Sequence, residues 1–408
     1  MKVTPASRLT LRPLVIHEKR KHYIVEEPAS GEFYEMPQVC IDAIERIRAG
    51  ETLEEAEGEL KQAYPDEEVD MLAFADQLLE LELVAEVDGA SVGATVPAAE
   101  SRRADSSRRE EGAAGGGAGA LGRLLFHRRL LPVYALLAAA NVLLFVLVPA
   151  LRPHYRDPAV FPSMTANTLL WLALTLGILL FHEWGHLLAV RAEGLSSRLG
   201  IGHRLFLVVF EMDMTGVWRL PARRRYVPFL GGLCFDMLLL FAIQTVRLFW
   251  GEAFPLADNI LGAAVYAILL TVFYQALFYM KTDLYYVIEN ATGVYNLMET
   301  SRSWLARRLR RAGAGEVIFE GEERIVRRYA WFYLAGVALS LLIGLFYLLP
   351  VLVYMVAVSV PKLAEPPGSL GFWDAVVFLA ELVLMGALLL YSWTRGRAEA
   401  RHGRDRAA

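Results

Sequence analysis

Two hydrophobic rhythms divide the chain. From Leu9 to Tyr34 apolar and polar residues alternate in short runs, LRPLVI, KHYIVEE and EFYEM, with PASG as a turn between the last two. That pattern predicts short β-strands. A helix is predicted from about Pro37 to Ala49, stopped by Gly50, and ETLEEAEGELKQAY is a second. After Pro65 a third helix carries Val69, Leu72, Phe74, Leu78, Leu79 and Leu81 before LVAEV. Residues 1–88 thus form a β-then-α unit of about 80 residues, enough for a small core of its own. From Leu130 onward the rhythm changes to nearly unbroken apolar runs. Six are long enough to span a membrane: Leu130–Leu151, Thr168–Val190, Tyr226–Trp250, Leu256–Met280, Tyr329–Val358 and Phe372–Trp393. The fifth is interrupted by Pro350 and is expected to kink or to outrun the bilayer.

Between the two regions, residues 89–122 are Ala, Gly, Ser and Arg with few large apolar side chains, the composition of a flexible tether. The expected organisation is therefore multi-domain: a small α+β domain over 1–88, a linker over 89–122, and an all-α membrane bundle over 123–408.

Composition supports this division. Of 408 residues 55% are hydrophobic and mean hydropathy is +0.35, too apolar for an ordinary soluble protein. The net charge of −4 conceals a split, with acid concentrated between Asp42 and Asp88 and base flanking the apolar runs. Two cysteines, Cys40 and Cys234, exclude a disulfide framework and a cysteine zinc cluster. No apolar signal core precedes the first domain, which is expected to stay in the cytosol. Arg123, Arg128 and Arg129 precede the first span, and Arg191 to Arg225 follow the second. Lys281 and the Arg302–Arg311 cluster follow the fourth, and Arg395, Arg397 and Arg401 follow the sixth. All of these fall on one side of a six-span count, which places both termini in the cytoplasm.

The chemistry is concentrated in HEWGH, His182 to His186, inside the second run. Histidines four apart share a helix face and can reach one metal ion, and Glu183 beside them can take a proton from an attacking water. Ionisable groups in a span are costly and usually functional, so the motif reads as a zinc site near the cytoplasmic face. Catalytic zinc takes three protein ligands and keeps one position open. Asp283 in KTDLYYVI, Asp213 in FEMDMTGVW and Asp236 in LGGLCFDMLLL compete for the third place. Topology favours Asp283, which enters the cytoplasmic side level with the histidines, while Asp236 is also readable as a satisfied buried carboxylate. His203 reads as a loop residue. The stretch HRLFLVVFEMDMTGVWRLP has β character around a possible Thr215–Gly216 turn, with Asp213 and Trp218 as candidate substrate contacts. SWLARRLRR reads either as an amphipathic membrane-surface segment or as a basic inside loop. Glu381 is another costly charge, in the sixth span.

HEWGH and TDLYYVI resemble the site-2 protease family of intramembrane zinc metalloproteases over about Thr168 to Asn290. The resemblance implies that Asp283 matches the aspartate of an NPDG-like motif as third ligand, though here KTDL lacks the asparagine, proline and glycine. It also implies that HRLFLVVFEMDMTGVWRLP is a re-entrant β-hairpin that holds substrate extended. The hairpin start, RAGETLEEAEGEL, QAYPDEE and FADQLLELELV resemble the winged-helix-like PqqD-like domain that recognises peptides in ribosomal peptide biosynthesis. That implies a leader peptide adding as a strand in a groove formed by KHYIVEE and the helix from Glu68 to Leu81.

The expected function is therefore peptide-bond hydrolysis by His182, His186, Asp283 and Zn²⁺ with Glu183 as base, on a precursor peptide recruited by the first domain. A second expectation keeps the chemistry but makes the substrate a membrane-anchored signalling protein and the first domain a sensor. A third is a non-catalytic peptide receptor or transport partner, against which the retained charges of HEWGH argue. The expected partners are a peptide or protein substrate and the lipid bilayer, not nucleic acid.

Overall fold

Pro13 breaks the first expected strand. It has no N–H for a ladder, and LRPLVI divides there into β1 (Leu9–Leu11) and β2 (Val15–Glu18), which belong to different sheets. The structure, a computed structural model, describes residues 3–18, 23–28, 30–92, 116–197, 199–204, 207–212, 214–308 and 322–407. At 18, 199, 201–204, 207–211, 389, 392, 393 and 395–407 it describes the backbone alone. The chain divides into two compact units. The first holds residues 1–116 with 194–196 and 214–221, and the second holds the rest.

In the first unit, β3 (Tyr23–Glu27) lies between β2 and β4 (Glu32–Met36), all antiparallel, with Val25 opposite both Ile16 and Tyr34. A second sheet orders β1, β5 (Val84–Val87) and β6 (Ala90–Ser91). Three helices cover them: α1 (Gln38–Ala49), α2 (Leu53–Ala63) and α3 (Met71–Glu80). Gly50 ends α1 at φ 85°, the left-handed region that glycine tolerates. Thr52 and Glu55 form a reciprocal capping box that starts α2. Val25, Ile44, Leu53, Leu78 and Val84 meet in one core, each worth roughly 1.5–3 kcal/mol when fully buried. Cys40 packs beside it, and burial, with Glu67 nearby, pushes its thiol up to about 11, which keeps it protonated at neutral pH. The expected groove on KHYIVEE is corrected by this topology. Its described part, Tyr23–Glu27, is the central strand with both edges paired, which leaves the outer edges of β2 and β4. Buried Glu26 on β3 pairs with His17 at 2.9 Å and with Arg219 at 2.7 Å.

Among its described residues, the second unit has one β-hairpin and is otherwise built of helices and their connections. Its helices are α4 (Gly117–Leu125), α5 (Leu131–Leu147), α6 (Met164–Ala192), α7 (Ala222–Trp250), α8 (Pro255–Gln275), α9 (Asp283–Thr292), α10 (Leu297–Arg308), α11 (Glu323–Ile343), α12 (Leu349–Ser359) and α13 (Leu370–Ala407). Between α6 and α7, β7 (Leu199–Arg204) pairs antiparallel with β8 (Leu207–Met212). Among the described residues, five helical segments are long and apolar enough to cross a membrane: Met164–Ala192, Ala222–Trp250, Pro255–Gln275, Glu323–Ala364 and Leu370–Leu388. The burial pattern is that of a membrane protein. Leu136, Leu147, Leu172, Leu341 and Val383 lie exposed, while Asn141, Asn167, Asp236 and Gln244 are buried.

The helix bounds refine the expected runs, and the fifth run, helical over the 42 residues Glu323–Ala364, is long enough to outrun a bilayer as expected. The first apolar run yields only the 17-residue α5. The fourth stops at Gln275, so residues 276–282 form a loop before α9. In the fifth, a π-helical segment at Gly344–Leu348 precedes Pro350, which sits near the start of α12. The expected linker is shorter at both ends, because Ala90–Ser91 pairs with β5 and α4 begins at Gly117; residues 93–115 lie outside those described. Gly122 looks like linker composition but serves close packing: an added Cβ would strike the backbone of Leu188 on α6. Within SWLARRLRR, Trp304 of α10 packs with Tyr285 of α9 and Tyr329 of α11, while residues 309–311 lie outside those described.

The N-terminus of α6 is capped from the far end of the chain. The Asp374 carboxylate accepts from Ser163 Oγ at 2.6 Å and from the backbone N–H groups of Met164 and Thr165 at 2.8 and 2.9 Å, and Lys362 pairs with it at 3.2 Å. These donors are otherwise orphaned at a helix start. Asp374→Ala is expected to destabilise the chain by about 2–3 kcal/mol, read as a lower melting midpoint in detergent.

Candidate metal centre

His182 and His186 lie one turn apart on α6, and the loop after α8 delivers Asp283 to them at the start of α9. His182 Nε2 is 3.0 Å from Asp283 Oδ2, His186 Nε2 is 3.1 Å from the same oxygen, and the two Nε2 atoms are 3.2 Å apart. Ligands at zinc distances, held tetrahedrally, are about 3.3 Å from each other. The three atoms therefore form nearly one face of such a tetrahedron, and the donor set of two imidazoles and a carboxylate suits zinc.

The outer ring nitrogens show which lone pairs point inward. His186 Nδ1 is 2.8 Å from the carbonyl oxygen of Pro228, which can only accept, so that nitrogen carries hydrogen. His182 Nδ1 is 2.8 Å from Oδ2 of Asp236, a fully buried carboxylate on α7. With both Nδ1 atoms donating, the Nε2 atom of each ring is the one that faces Asp283, and in a neutral ring it carries the lone pair a metal would take. Asp236 thus sits behind His182, on the side away from the cluster, where it orients the ring and does not join the three candidate ligand atoms.

Helix packing sets the space. α6 and α7 meet through Gly185 and Gly231, where a Cβ on Gly231 would lie 2.7 Å from the Gly185 carbonyl oxygen. One residue on, a Cβ on Gly232 would lie 2.5 Å from His186 Nε2 and closer still to His182 Nε2. Gly232 therefore keeps the inward side of the histidines open.

Glu183 is half-buried, and the backbone N–H of Met212, the last residue of β8, lies on the side of its carboxylate. The hairpin therefore ends near the residue next to the histidines. Of the other candidates, Asp213 lies outside the described residues. Trp218 is buried in the 3₁₀ turn Thr215–Arg219, which groups with the first unit. Glu381 lies in α13, where its buried Oε2 has no hydrogen-bond partner among the described residues. No family model, curated protein or solved structure matches the chain. The weight rests on geometry.

Pro228, Gly232 and Asp236 had no role in the sequence reading, except that Asp236 was weighed as a ligand. A four-residue spacing on α7 links them: Pro228, Gly232 and Asp236 are successive i, i+4 positions and so share one helix face. Asp236→Ala is expected to weaken metal binding by about 10–100-fold with α6 intact, measured by chelator competition.

Proposed function

We propose that the chain is an intramembrane zinc metalloprotease, resembling the site-2 protease family, that hydrolyses a peptide bond in a ribosomally made precursor peptide. The observation that carries the reading is the triangle of His182, His186 and Asp283 with Glu183 beside it, inside an apolar helical unit. Bound zinc would supply Lewis acidity, polarising the scissile carbonyl and acidifying a water. His182 and His186 present lone pairs fixed by Asp236 and the Pro228 carbonyl, and Asp283 adds the single negative charge. Glu183 accepts the proton of the attacking water and returns it to the leaving amine.

In this reading α5 is a sixth span, since 17 residues reach about 26 Å and suffice for a thin or locally adapted bilayer. Basic residues place both termini and the metal centre on the cytoplasmic side. The β7–β8 hairpin enters beside the centre and holds substrate extended, as a helical substrate hides its peptide bonds. The first unit is a PqqD-like peptide-recognition domain that offers β2 or β4 as the edge for a leader.

The test is co-expression of the full chain with candidate precursor peptides from the same genome, followed by mass spectrometry of the peptides and zinc analysis of the purified chain. Cleavage that depends on Glu183 supports the proposal. Cleavage only of a membrane-anchored signalling protein would move the substrate class, and a chain that binds peptide without cleaving it would make it a receptor.

A further inference from the structure

Asp283 is placed by a loop, not by a span. α8 stops at Gln275 and α9 starts at Asp283, leaving residues 276–282 as the only covalent support on that side. A metal ligand there needs its backbone fixed to a few tenths of an ångström. KTDL contains no proline or glycine to form a tight turn, so another device must hold the ligand.

The loop is closed by the residue that precedes it. Gln275 is buried, 5% exposed, and its side-chain Oε1 accepts the backbone N–H of Asp283 at 3.0 Å. Its own backbone carbonyl accepts Thr282 Oγ at 2.9 Å. Both ends of the loop are thus fastened to one residue, which also satisfies an orphan donor at the start of α9. The middle is held by α11, where Tyr329 OH donates to the Phe278 carbonyl at 2.7 Å. Gly336 allows that approach, since its Cβ would come 2.9 Å from the Phe278 nitrogen.

We propose that Gln275 is a positioning residue for the metal centre, its side-chain carbonyl fixing the Asp283 backbone so that Oδ2 reaches both histidines. This rests on the metal reading above. Gln275 touches no ligand atom and acts through the backbone, so its loss leaves the donor set complete but poorly aligned.

The experiment uses the full chain in detergent. Gln275→Leu keeps the volume and removes the acceptor, whereas Gln275→Glu keeps an acceptor at the same reach. Zinc affinity is measured by chelator competition, the visible absorption of the cobalt(II)-substituted chain reports ligand geometry, and metal-free melting reports the fold. Gln275→Leu is expected to bind zinc about 10–100-fold more weakly, with altered cobalt absorption. Gln275→Glu is expected to restore both. Thr282→Val, which cuts the loop's other fastening, is expected to weaken zinc binding in the same direction and carries the test should Gln275→Leu not fold. Unchanged zinc affinity and cobalt absorption in Gln275→Leu, or equal loss in Leu and Glu variants, overturns the positioning role while leaving the metal centre standing. A wild-type chain without zinc affinity overturns the centre itself and the role of Gln275 with it.

Discussion

Glu183→Gln is expected to keep zinc in the purified chain and to lower peptide cleavage by about 10²–10⁴-fold. The substitution is nearly isosteric. An amide keeps the length and shape of the side chain and an oxygen that can accept hydrogen bonds, so the local geometry survives. What disappears is the capacity to accept a proton. The attacking water then keeps its proton and the amine leaves without one, and both steps of amide hydrolysis suffer. His182, His186 and Asp283 are unchanged, so metal content separates this loss from collapse of the site. The readings are zinc by elemental analysis and product by mass spectrometry. Undiminished proteolysis in Glu183→Gln would remove Glu183 from its role, and loss of zinc would make it a ligand or a structural support.

The same residues show why only part of this site was legible in advance. His182, Glu183 and His186 are local, because four residues along a helix always bring side chains to one face. Asp283 needed topology: it is separated from His182 by about a hundred residues of sequence and meets it only because α7 and α8 return the chain. Apolar run lengths located the spans but not their ends. The end of α8 at Gln275 and the later start of α9 are decided by hydrogen bonds, which a hydropathy pattern does not register. LRPLVI failed for a similar reason. Its apolar character continues through Arg12 and Pro13 while the pairing partner changes from β5 to β3. The glycines were the least legible of all. Gly122, read as linker, and Gly232, unremarked in an apolar run, act through the space they leave free, and that depends wholly on what packs opposite.

Gly232→Ala is accordingly expected to abolish metal binding without removing any ligand. The new Cβ would stand 2.5 Å from His186 Nε2 and nearer to His182 Nε2, on the side where both lone pairs converge. Zinc itself lies about 2.0–2.1 Å from such nitrogens, so the methyl group competes for nearly the same space. α7 has little room to back away, because Gly231 is already in contact with Gly185 and Ala189 of α6. Turning the imidazoles aside instead breaks their bonds to Asp236 and to the Pro228 carbonyl and points the lone pairs off centre. Either response misaligns the donor set. Zinc content is expected to fall from about one ion per chain to almost none, while helical circular dichroism is retained. Gly177→Ala, on α6 where an added Cβ meets no atom within 4 Å, serves as the control and is expected to keep its zinc. Full zinc occupancy in Gly232→Ala would mean that the ion does not sit between His182, His186 and Asp283. Loss confined to Gly232→Ala places it there on steric grounds alone, independently of any ligand substitution.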